Sequence, residues 1–279
     1  MGLGDDIMMG GEWKAVYNQS KMKVIPDGEW SPMWNNIDYI VKEGDNTLKL
    51  PTHPNGLRPY IERWGHNQII FKEYQPKIGD IVFNDKENQD VMKILWTKGL
   101  EKNSIYFNRL WGRNEYDKPV IYVNPDSKNT TSCNNKEWPW EYWCELVESL
   151  SDCDVIRCKP QSTHDVSGHV PYNNPDLPGA INIDISDPRH AFNIMSSCDL
   201  VITTEGGAHH AAAALGIEAI VLYGAFISPR NTGYSHQHNI YNGPDTPYGS
   251  TIPDERCIQA MRDIKTHRVL ELARDLLSS

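Results

Sequence analysis

Apolar positions in the second half of the chain form short runs separated by turn residues and by segments with helical spacing. Leu200 to Ile202 is one such run, and Ile217 to Tyr223 is another. Runs of this length are typical of strands buried on both faces of a parallel sheet. Between them, Ala208 to Leu215 is rich in alanine, a strong helix former, and Gly216 suits a helix end. The pattern predicts a strand, a turn, a helix and a second strand over 198–224.

The same alternation extends on both sides of this unit. Pro139 and Pro188 stand where helices are predicted to begin, and proline is well tolerated in the first turn of a helix. The C-terminus carries an apolar stripe at helical spacing, which predicts a final helix. The further predicted strands are 120–123, 155–156 and 181–183, and the further helices are 138–150, 187–198 and 258–276.

The first hundred residues give a less regular α/β pattern. A helix is predicted to begin near Ile7, and a second over 85–100. A glycine loop that feeds a helix normally follows a strand, but no residues precede Met1 to form one, so that strand is either absent or trimmed. The polar, glycine-containing segment 111–118 predicts a linker between two α/β halves. The strands predicted in this half are 23–25, 36–41, 68–71 and 80–83.

Composition excludes several classes of protein. Hydrophobic residues make up 39% and charged residues 23%, which is ordinary for a globular chain. No run of about 18 apolar residues predicts a membrane span, and no signal-peptide core follows Met1. The six cysteines form no CxxC pair and predict reduced thiols in a cytoplasmic protein. The net charge of −10, with scattered lysines and arginines, makes nucleic acid an unexpected partner.

The turn between strand and helix at 203–207 (TTEGG) is the first candidate site. A helix start presents N–H groups without intrahelical partners and the positive end of the helix dipole, so it favours a phosphate. Glycines there let a ligand approach the backbone closely. Glycines also make such turns for purely structural reasons. The ionisable residues Glu205, His209 and His210, at the carboxyl end of a parallel strand, favour a ligand site.

Three motifs, Leu3-Gly4-Asp5, residues 136–139 and residues 205–233, follow one another in the order of a known family and carry a resemblance to it. The stretch 205–216 (EGGAHHAAAALG) resembles the donor-site signature of glycosyltransferase family 9, the heptosyltransferases of bacterial lipopolysaccharide synthesis, and 222–233 (LYGAFISPRNTG) resembles the segment after it. Residues 136–139 (KEWP) are similar to the family's Lys-x-Trp-Pro motif. Leu3-Gly4-Asp5 resembles its acceptor-side loop, to which Gly2 and Gly4 would belong.

The resemblance implies an α/β fold of the GT-B type, with two Rossmann-like domains facing a central cleft and a reduced N-terminal domain. The implied domains are an acceptor-side domain (1–114), a nucleotide-sugar-binding domain (115–250) and a C-terminal helical segment (251–279) that crosses back to the first. Family members transfer sugars from nucleotide-sugars with inversion and need no metal or other cofactor. The expected acceptor is a saccharide or glycolipid hydroxyl.

The resemblance also assigns roles. Asp5 would be the general base that takes the proton of the acceptor hydroxyl, and Lys136 would neutralise the leaving diphosphate. The donor-binding residues would be Glu205 for sugar hydroxyls, the N–H groups of Gly206, Gly207 and Ala208 for the diphosphate, and His210 at the family's histidine position. Two departures stand out, because Glu205 replaces an Asp and Gly206 replaces a hydroxyl residue.

Other assignments of the charged residues remain open at this point. Asp152-Cys153-Asp154 has the DxD form of metal-dependent glycosyltransferases, although such triplets are common in solvated turns. His209 and His210 suggest zinc, but neighbours on a helix point about 100° apart. Lys136 is the simpler charge partner unless it is an ordinary surface lysine. Asp6 competes with Asp5, and His210 is equally suited to a packing role.

Three functions therefore follow from the sequence. The leading hypothesis is an inverting, metal-independent glycosyltransferase with a nucleotide-sugar donor. A second keeps the fold but glycosylates a base in DNA, which the acidic charge disfavours. A third is a non-catalytic nucleotide- or glycan-binding relative, which the absent first strand and Gly206 favour.

Overall fold

The computed structural model describes residues 2–52, 58–100, 118–126, 132–160 and 175–278. The N-terminal region contains two long helices and two small sheets. Strands β1 and β2 pair in parallel, and β3 and β4 pair antiparallel. This region agrees with the predicted reduced N-terminal domain. Its elements are α1 (Leu3–Ser20), β1 (Lys23–Asp27), β2 (Thr47–Pro51), β3 (Ile61–Trp64), β4 (Ile69–Phe71) and α2 (Asp85–Thr97).

Helix α1 begins earlier than the sequence pattern predicts. Gly2 is the residue before the helix and has an extended backbone, and Lys21 ends the helix in the left-handed conformation. Asp5 and Asp6 lie in the first turn, where the helix dipole favours negative charge. Gly2 and Gly4 were expected in an acceptor-side loop, and this expectation is wrong, because Gly2 caps the helix and Gly4 lies inside it.

Two predicted N-terminal strands do not form. Residues 36–41 contain turns and a single bridge between Ile40 and Val24, and residues 80–83 form neither helix nor strand. Polar side chains bind the backbone of the second segment instead of a neighbouring strand. The carbonyl of Val82 accepts hydrogen bonds from Asn36 and Arg189. The apolar pattern of these two segments therefore marked partly buried loops rather than a sheet.

The C-terminal region is built on one six-stranded parallel sheet. Its strand order is β10-β9-β8-β5-β6-β7, and each neighbouring pair is parallel. The chain reverses its direction of travel across the sheet between β5 and β8, which is where α/β sheets bind ligands. The strands are β5 (Val120–Asn124), β6 (Asp154–Pro160), β7 (Ile181–Ile185), β8 (Leu200–Thr204), β9 (Ala219–Tyr223) and β10 (His238–Tyr241).

Helices cover both faces of this sheet. Two hydrophobic cores result, one around Trp143 and Val269 on one face and one that joins the opposite face to the N-terminal region. The helices are α3 (Trp140–Ser149), α4 (Pro188–Met195), α5 (Gly207–Leu215), α6 (Pro229–Thr232), α7 (Glu255–Arg262) and α8 (Thr266–Ser278).

The last helix packs on the C-terminal region. Helix α8 packs against α3 and against strands β8 and β9. Thr266 bonds the Glu145 carboxylate, and Arg274 bonds Asp152 and the carbonyl of Ser149. Thr251, the first residue of the predicted segment 251–279, donates to the carbonyls of Asn67 and His66. The crossing of that segment back to the N-terminal domain stays a prediction. The predicted domain boundary at 114–115 lies outside the described residues.

Hydrogen bonds join the N-terminal region to the C-terminal region on two sides. On one side, the backbone N–H groups of Ile69 and Tyr74 donate to the carbonyls of Gly249 and Arg230. On the other, the buried Arg189 donates to Glu87 and to two N-terminal carbonyls. Helix α1 packs directly on α5. The start of α1 is thereby held beside the carboxyl edge of the sheet.

Among the described helices, none combines the length and the apolar character that crossing a membrane requires.

Candidate active site

The turn predicted from sequence lies at the carboxyl edge of the sheet, beside the point where the strand order reverses. Strand β8 ends at Thr204 and α5 begins at Gly207. The first N–H groups of a helix lack intrahelical partners, so those of Gly207 and Ala208 are donors for a ligand. The structure therefore has a helix start at the predicted turn, and its binding of an anion stays a prediction.

The N–H group of Gly206 differs from its predicted role. It donates to Nδ1 of His209 at 3.0 Å and is thus already satisfied. The backbone of Gly206 is extended, and a Cβ added there would meet nothing within 4 Å. Neither conformation nor crowding requires glycine at this position. The predicted cradle of three N–H groups is therefore reduced to Gly207 and Ala208 in this structure.

Lys136 and Glu205 form an ion pair beside this helix start. The Lys136 ammonium lies 2.9 Å from Oε2 of Glu205, and their side chains are 20% and 8% exposed. Burial alone would raise the pKa of Glu205, but the neighbouring Lys136 outweighs it, so the pKa is lowered. Lys136 is thus not an ordinary surface lysine. Its charge is directed at the turn that was predicted to bind a phosphate.

The segment before Lys136 is held in place by Asn135, a residue that sequence reasoning missed. Cys133–Lys136 is a short 3₁₀ helix. The Asn135 side chain is fully buried and donates to the carbonyls of Ser250 and Ile252. Its Oδ1 accepts from the Asp254 N–H. An asparagine satisfied on both sides fixes the backbone next to the lysine.

Asp5 reaches the same place from the N-terminal region. A Cβ added to Gly4 would lie 2.9 Å from Cα of Gly207 and 2.8 Å from Cδ2 of His210. The first turn of α1 and the first turn of α5 therefore touch through glycines. This contact places the carboxylate of Asp5, which is only 6% exposed, next to the turn that was predicted to bind a phosphate.

The Asp5 carboxylate has three described donors. Arg58 Nε lies 3.0 Å from Oδ2, and the Gly2 N–H donates to the same oxygen at 3.2 Å. The Tyr60 hydroxyl donates to Oδ1 at 3.2 Å. Asp6 faces elsewhere, because its Oδ2 accepts from Ser31 and its carbonyl accepts from the Trp34 indole. The geometry favours Asp5 over Asp6 as the site carboxylate.

The two histidines form a buried polar layer beneath the helix start. His209 Nε2 lies 3.1 Å from the Thr232 carbonyl, and Nδ1 of His210 lies 3.0 Å from the Tyr234 hydroxyl. Burial lowers the pKa of His209, and lowers that of His210 well below its ordinary value. Both rings are therefore neutral near pH 7. His209 supports the turn, whereas His210 lies against Gly4.

Glu205, His209 and His210 have ligand atoms within 4.8 Å of one another, which is close enough to consider a metal ion. The hydrogen bonds argue against that use. Both ring nitrogens of His209 are engaged, with the Gly206 N–H and the Thr232 carbonyl. The Lys136 ammonium already neutralises Glu205. A cation would have to displace these partners, so this donor set does not fit a metal well.

The DxD triplet lies away from this site. Asp154 is the first residue of β6, so the triplet stands at the amino edge of the sheet rather than the carboxyl edge. Asp152 pairs with Arg274, and its side chain is 63% exposed. The structure supports the solvated-turn interpretation of these residues.

Several residues of the site gave no signal in the sequence. Arg58 and Tyr60 lie more than fifty positions from Asp5, outside any recognisable motif. Thr232 Oγ1 donates to Glu205 Oε1 at 3.4 Å, and the Phe226 ring lies under the Lys136 ammonium. The last two fall within the 222–233 segment, so its resemblance was the only available signal.

Comparisons with known proteins give the following results. The model of glycosyltransferase family 9 (heptosyltransferase) matches residues 73–251. No curated protein sequence matches the chain. The glycosyl transferase family 9 structure from Veillonella parvula DSM 2008 is 15% identical over 72% of this chain and 54% of that chain, with a TM-score of 0.50.

Two Escherichia coli structures are also similar. ADP-heptose LPS heptosyltransferase II is 18% identical over 73% of this chain and 55% of that chain, with a TM-score of 0.45. The iron-containing dodecameric glycosyltransferase TibC is 17% identical over 60% of this chain and 48% of that chain, with a TM-score of 0.43. The chain thus spans about half the length of these structures. The family match and the Veillonella likeness confirm the predicted GT-B fold class.

Proposed function

The chain belongs to glycosyltransferase family 9, and on that premise we propose that it transfers a sugar from a nucleotide-sugar to a saccharide or glycolipid hydroxyl. In this proposal the transfer inverts the anomeric carbon and uses no metal ion. The observation that carries it is the meeting of Asp5, the Lys136–Glu205 pair and the start of α5 at one edge of the sheet. Asp5 lies outside the matched residues 73–251, so its role rests on this geometry and on its motif.

The leaving group determines the chemistry on the donor side. When the bond between the anomeric carbon and the diphosphate breaks, the electron pair goes to a phosphate oxygen, where negative charge builds up. Lys136 and the N–H groups of Gly207 and Ala208 stabilise that charge. For this, Lys136 exchanges the Glu205 carboxylate for the diphosphate, and Glu205 then accepts hydrogen bonds from the hydroxyls of the donor sugar.

Asp5 supplies the chemistry on the acceptor side. Its carboxylate takes the proton of the acceptor hydroxyl as that oxygen forms its bond to the anomeric carbon on the face opposite the diphosphate. The products are the glycosylated acceptor and a nucleoside diphosphate. Neutral His210, beside Gly4 and α5, lines the space between the two substrates.

Charge balance supports the absence of a metal. The usual work of a divalent ion in such a reaction is to neutralise the diphosphate. Here a lysine and a helix start stand at that place, and the neighbouring carboxylate and histidines are engaged with protein groups.

The test is release of nucleoside diphosphate from a panel of ADP-, UDP- and GDP-sugars, beginning with ADP-heptose because of the family's description. Release is expected to depend on both donor and a saccharide acceptor, and to persist in EDTA. Asp5→Asn and Lys136→Ala are expected to lower the rate by about a hundredfold or more. Asp45→Asn and Lys265→Ala, which change exposed residues, are the matched controls.

Three outcomes would contradict parts of the proposal. Wild-type rates in both site variants would remove the assigned roles. Loss of turnover in EDTA, restored by a divalent cation, would overturn the metal-independent mechanism, and a retained anomeric configuration by NMR would overturn inversion. A nucleotide that raises the melting temperature without turnover on any acceptor would identify a binding protein instead.

A further inference from the structure

Asp5 is held by an ion pair and by hydrogen bonds that the proposed reaction does not by itself explain. Arg58 Nε lies 3.0 Å from Asp5 Oδ2, Tyr60 donates to Asp5 Oδ1 at 3.2 Å, and Arg58 Nη1 donates to the Tyr60 hydroxyl at 3.2 Å. Each of the three side chains thus contacts the other two. This triangle fixes the plane of the carboxylate more firmly than one ion pair would.

We propose that Arg58, together with Tyr60, is a positioning residue for Asp5: the two side chains fix the orientation of the buried carboxylate and direct Oδ1 toward the acceptor hydroxyl. This inference rests on the proposed function, because it assigns Asp5 the role of the base.

The number of donors around Asp5 leaves room for a substrate. An ionised carboxylate accepts about four hydrogen bonds. Among the described residues, Oδ2 accepts from the Gly2 N–H and forms the ion pair with Arg58, and Oδ1 accepts from Tyr60. Oδ1 is therefore the less crowded of the two oxygens among these residues and the one we assign to the acceptor hydroxyl. A hydroxyl that binds there is oriented by a carboxylate that cannot rotate without breaking the triangle.

The donors keep their protons at any working pH. Burial raises the pKa of Tyr60 well above its ordinary value, and Asp5 adds to this, so Tyr60 stays a neutral donor. Burial by itself would lower the pKa of Arg58, but Tyr60 and Asp5 outweigh it and raise the pKa, so Arg58 stays cationic. The triangle is thus one cation, one neutral donor and one carboxylate.

The surrounding charges show why a cation is needed here. Asp5 is 6% exposed and is followed along α1 by Asp6, which is equally buried. From the other elements, Glu205 adds a second carboxylate, its partner Lys136 a cation, and His210 a neutral ring. Buried carboxylates that lie near one another repel, and a cation in direct contact offsets that repulsion. Arg58 is the cation in direct contact among the described residues.

The kinetic test compares Arg58→Gln, Arg58→Lys and Tyr60→Phe with wild type, with the donor and acceptor that turn over. In Arg58→Gln kcat is expected to fall about tenfold or more with a much smaller change in the KM for the donor, because the base is no longer held in its orientation. Arg58→Lys should restore part of kcat, since a lysine can keep the ion pair but not both contacts of the guanidinium. Tyr60→Phe should lower kcat about threefold to tenfold, because it removes one of the contacts that orient the carboxylate.

Lys77→Gln is the matched control, because it removes a cation that pairs with Glu12 on the same helix, away from Asp5. Melting temperatures identify any variant that fails to fold, and Arg58→Lys then carries the test. An unchanged kcat in folded Arg58→Gln, with Asp5→Asn inactive, would overturn the inference and leave the proposed function intact.

Discussion

The two regions of this molecule are built differently and contribute differently to the site. The C-terminal region has six paired strands covered by helices on both faces, and one of its two cores lies entirely within it. The N-terminal region has two two-stranded sheets, and its apolar residues belong to a core that it shares with the C-terminal sheet. Small two-stranded sheets are marginally stable alone. The N-terminal region is therefore stabilised by docking.

This difference separates the two sides of the proposed reaction. The proposed donor-binding residues, Glu205 and the start of α5, lie at the end of strand β8 in the C-terminal sheet, which has a core of its own. Asp5, Arg58 and Tyr60 are brought to it by the docked region. A mutation that weakens the contact between the two regions should therefore displace Asp5, Arg58 and Tyr60 first and leave nucleotide binding in place.

The largest expected effect comes from Arg189→Met. Arg189 lies on the C-terminal helix α4, and its side chain is 3% exposed. It binds three N-terminal groups, the Glu87 carboxylate and the carbonyls of Pro32 and Val82. Removing a buried partner of this kind should lower the free energy of unfolding by about 3 kcal/mol, measured by urea denaturation. Hydrogen exchange should accelerate in 3–34 while β5, β8 and β9 stay protected.

Arg256→Met is the control, since that arginine forms an exposed ion pair and should change stability little. Equal loss of protection in both regions of Arg189→Met would show that they unfold as one unit, against the comparison drawn above.

A smaller effect is expected from Gly4→Ala, which separates α1 from α5. The added methyl group would lie under 3 Å from Cα of Gly207, so one helix must shift, at a cost of about 1–3 kcal/mol. Gly10→Ala lies on the same helix, with nothing within 4 Å of its new Cβ, and should stabilise by about 0.5–1 kcal/mol.

Turnover should fall in Gly4→Ala alone, while its nucleotide affinity, measured by calorimetry, stays near that of wild type. A Gly4→Ala protein with normal turnover would show that close contact of the two helices is not needed.

The smallest effect is a loss of stability in mild acid that originates in the C-terminal region. The pKa values of His209 and His210 are lowered by burial, so the folded chain stays neutral where the unfolded chain, with an ordinary value of 6.5, binds protons. Their contribution is therefore present above pH 6.5 and is lost below it. The free energy of unfolding should fall by about 1–2 kcal/mol between pH 7 and pH 5.5.

Urea titrations at several pH values measure this slope. His210→Asn should reduce it, whereas His238→Asn, which changes a partly exposed histidine, should not. A slope that is the same in all three proteins would place the acid sensitivity elsewhere.

The same difference between regions explains what the sequence could predict. The strands β5, β8 and β9 and the helix α5 follow from apolar runs and an alanine-rich segment, because a buried parallel sheet imposes its pattern locally. Residues 36–41 misled because they form turns, and residues 80–83 misled because their backbone is bound by side chains such as Arg189, more than a hundred positions away. Asp5 and Lys136 were found through motifs. Arg58 and Asn135 act only through contacts made by folding, so no local pattern marks them.

The Lys136–Glu205 pair has a consequence for how a negatively charged donor arrives. A lysine that already has its counter-ion attracts anions weakly at long range, and the chain as a whole carries a formal charge of −10. In the proposed function, no long-range attraction accelerates the capture of the nucleotide-sugar, and added salt should not slow the encounter. When the proposed product, a nucleoside diphosphate, leaves, the Glu205 carboxylate pairs with Lys136 again and so competes with the product for the lysine.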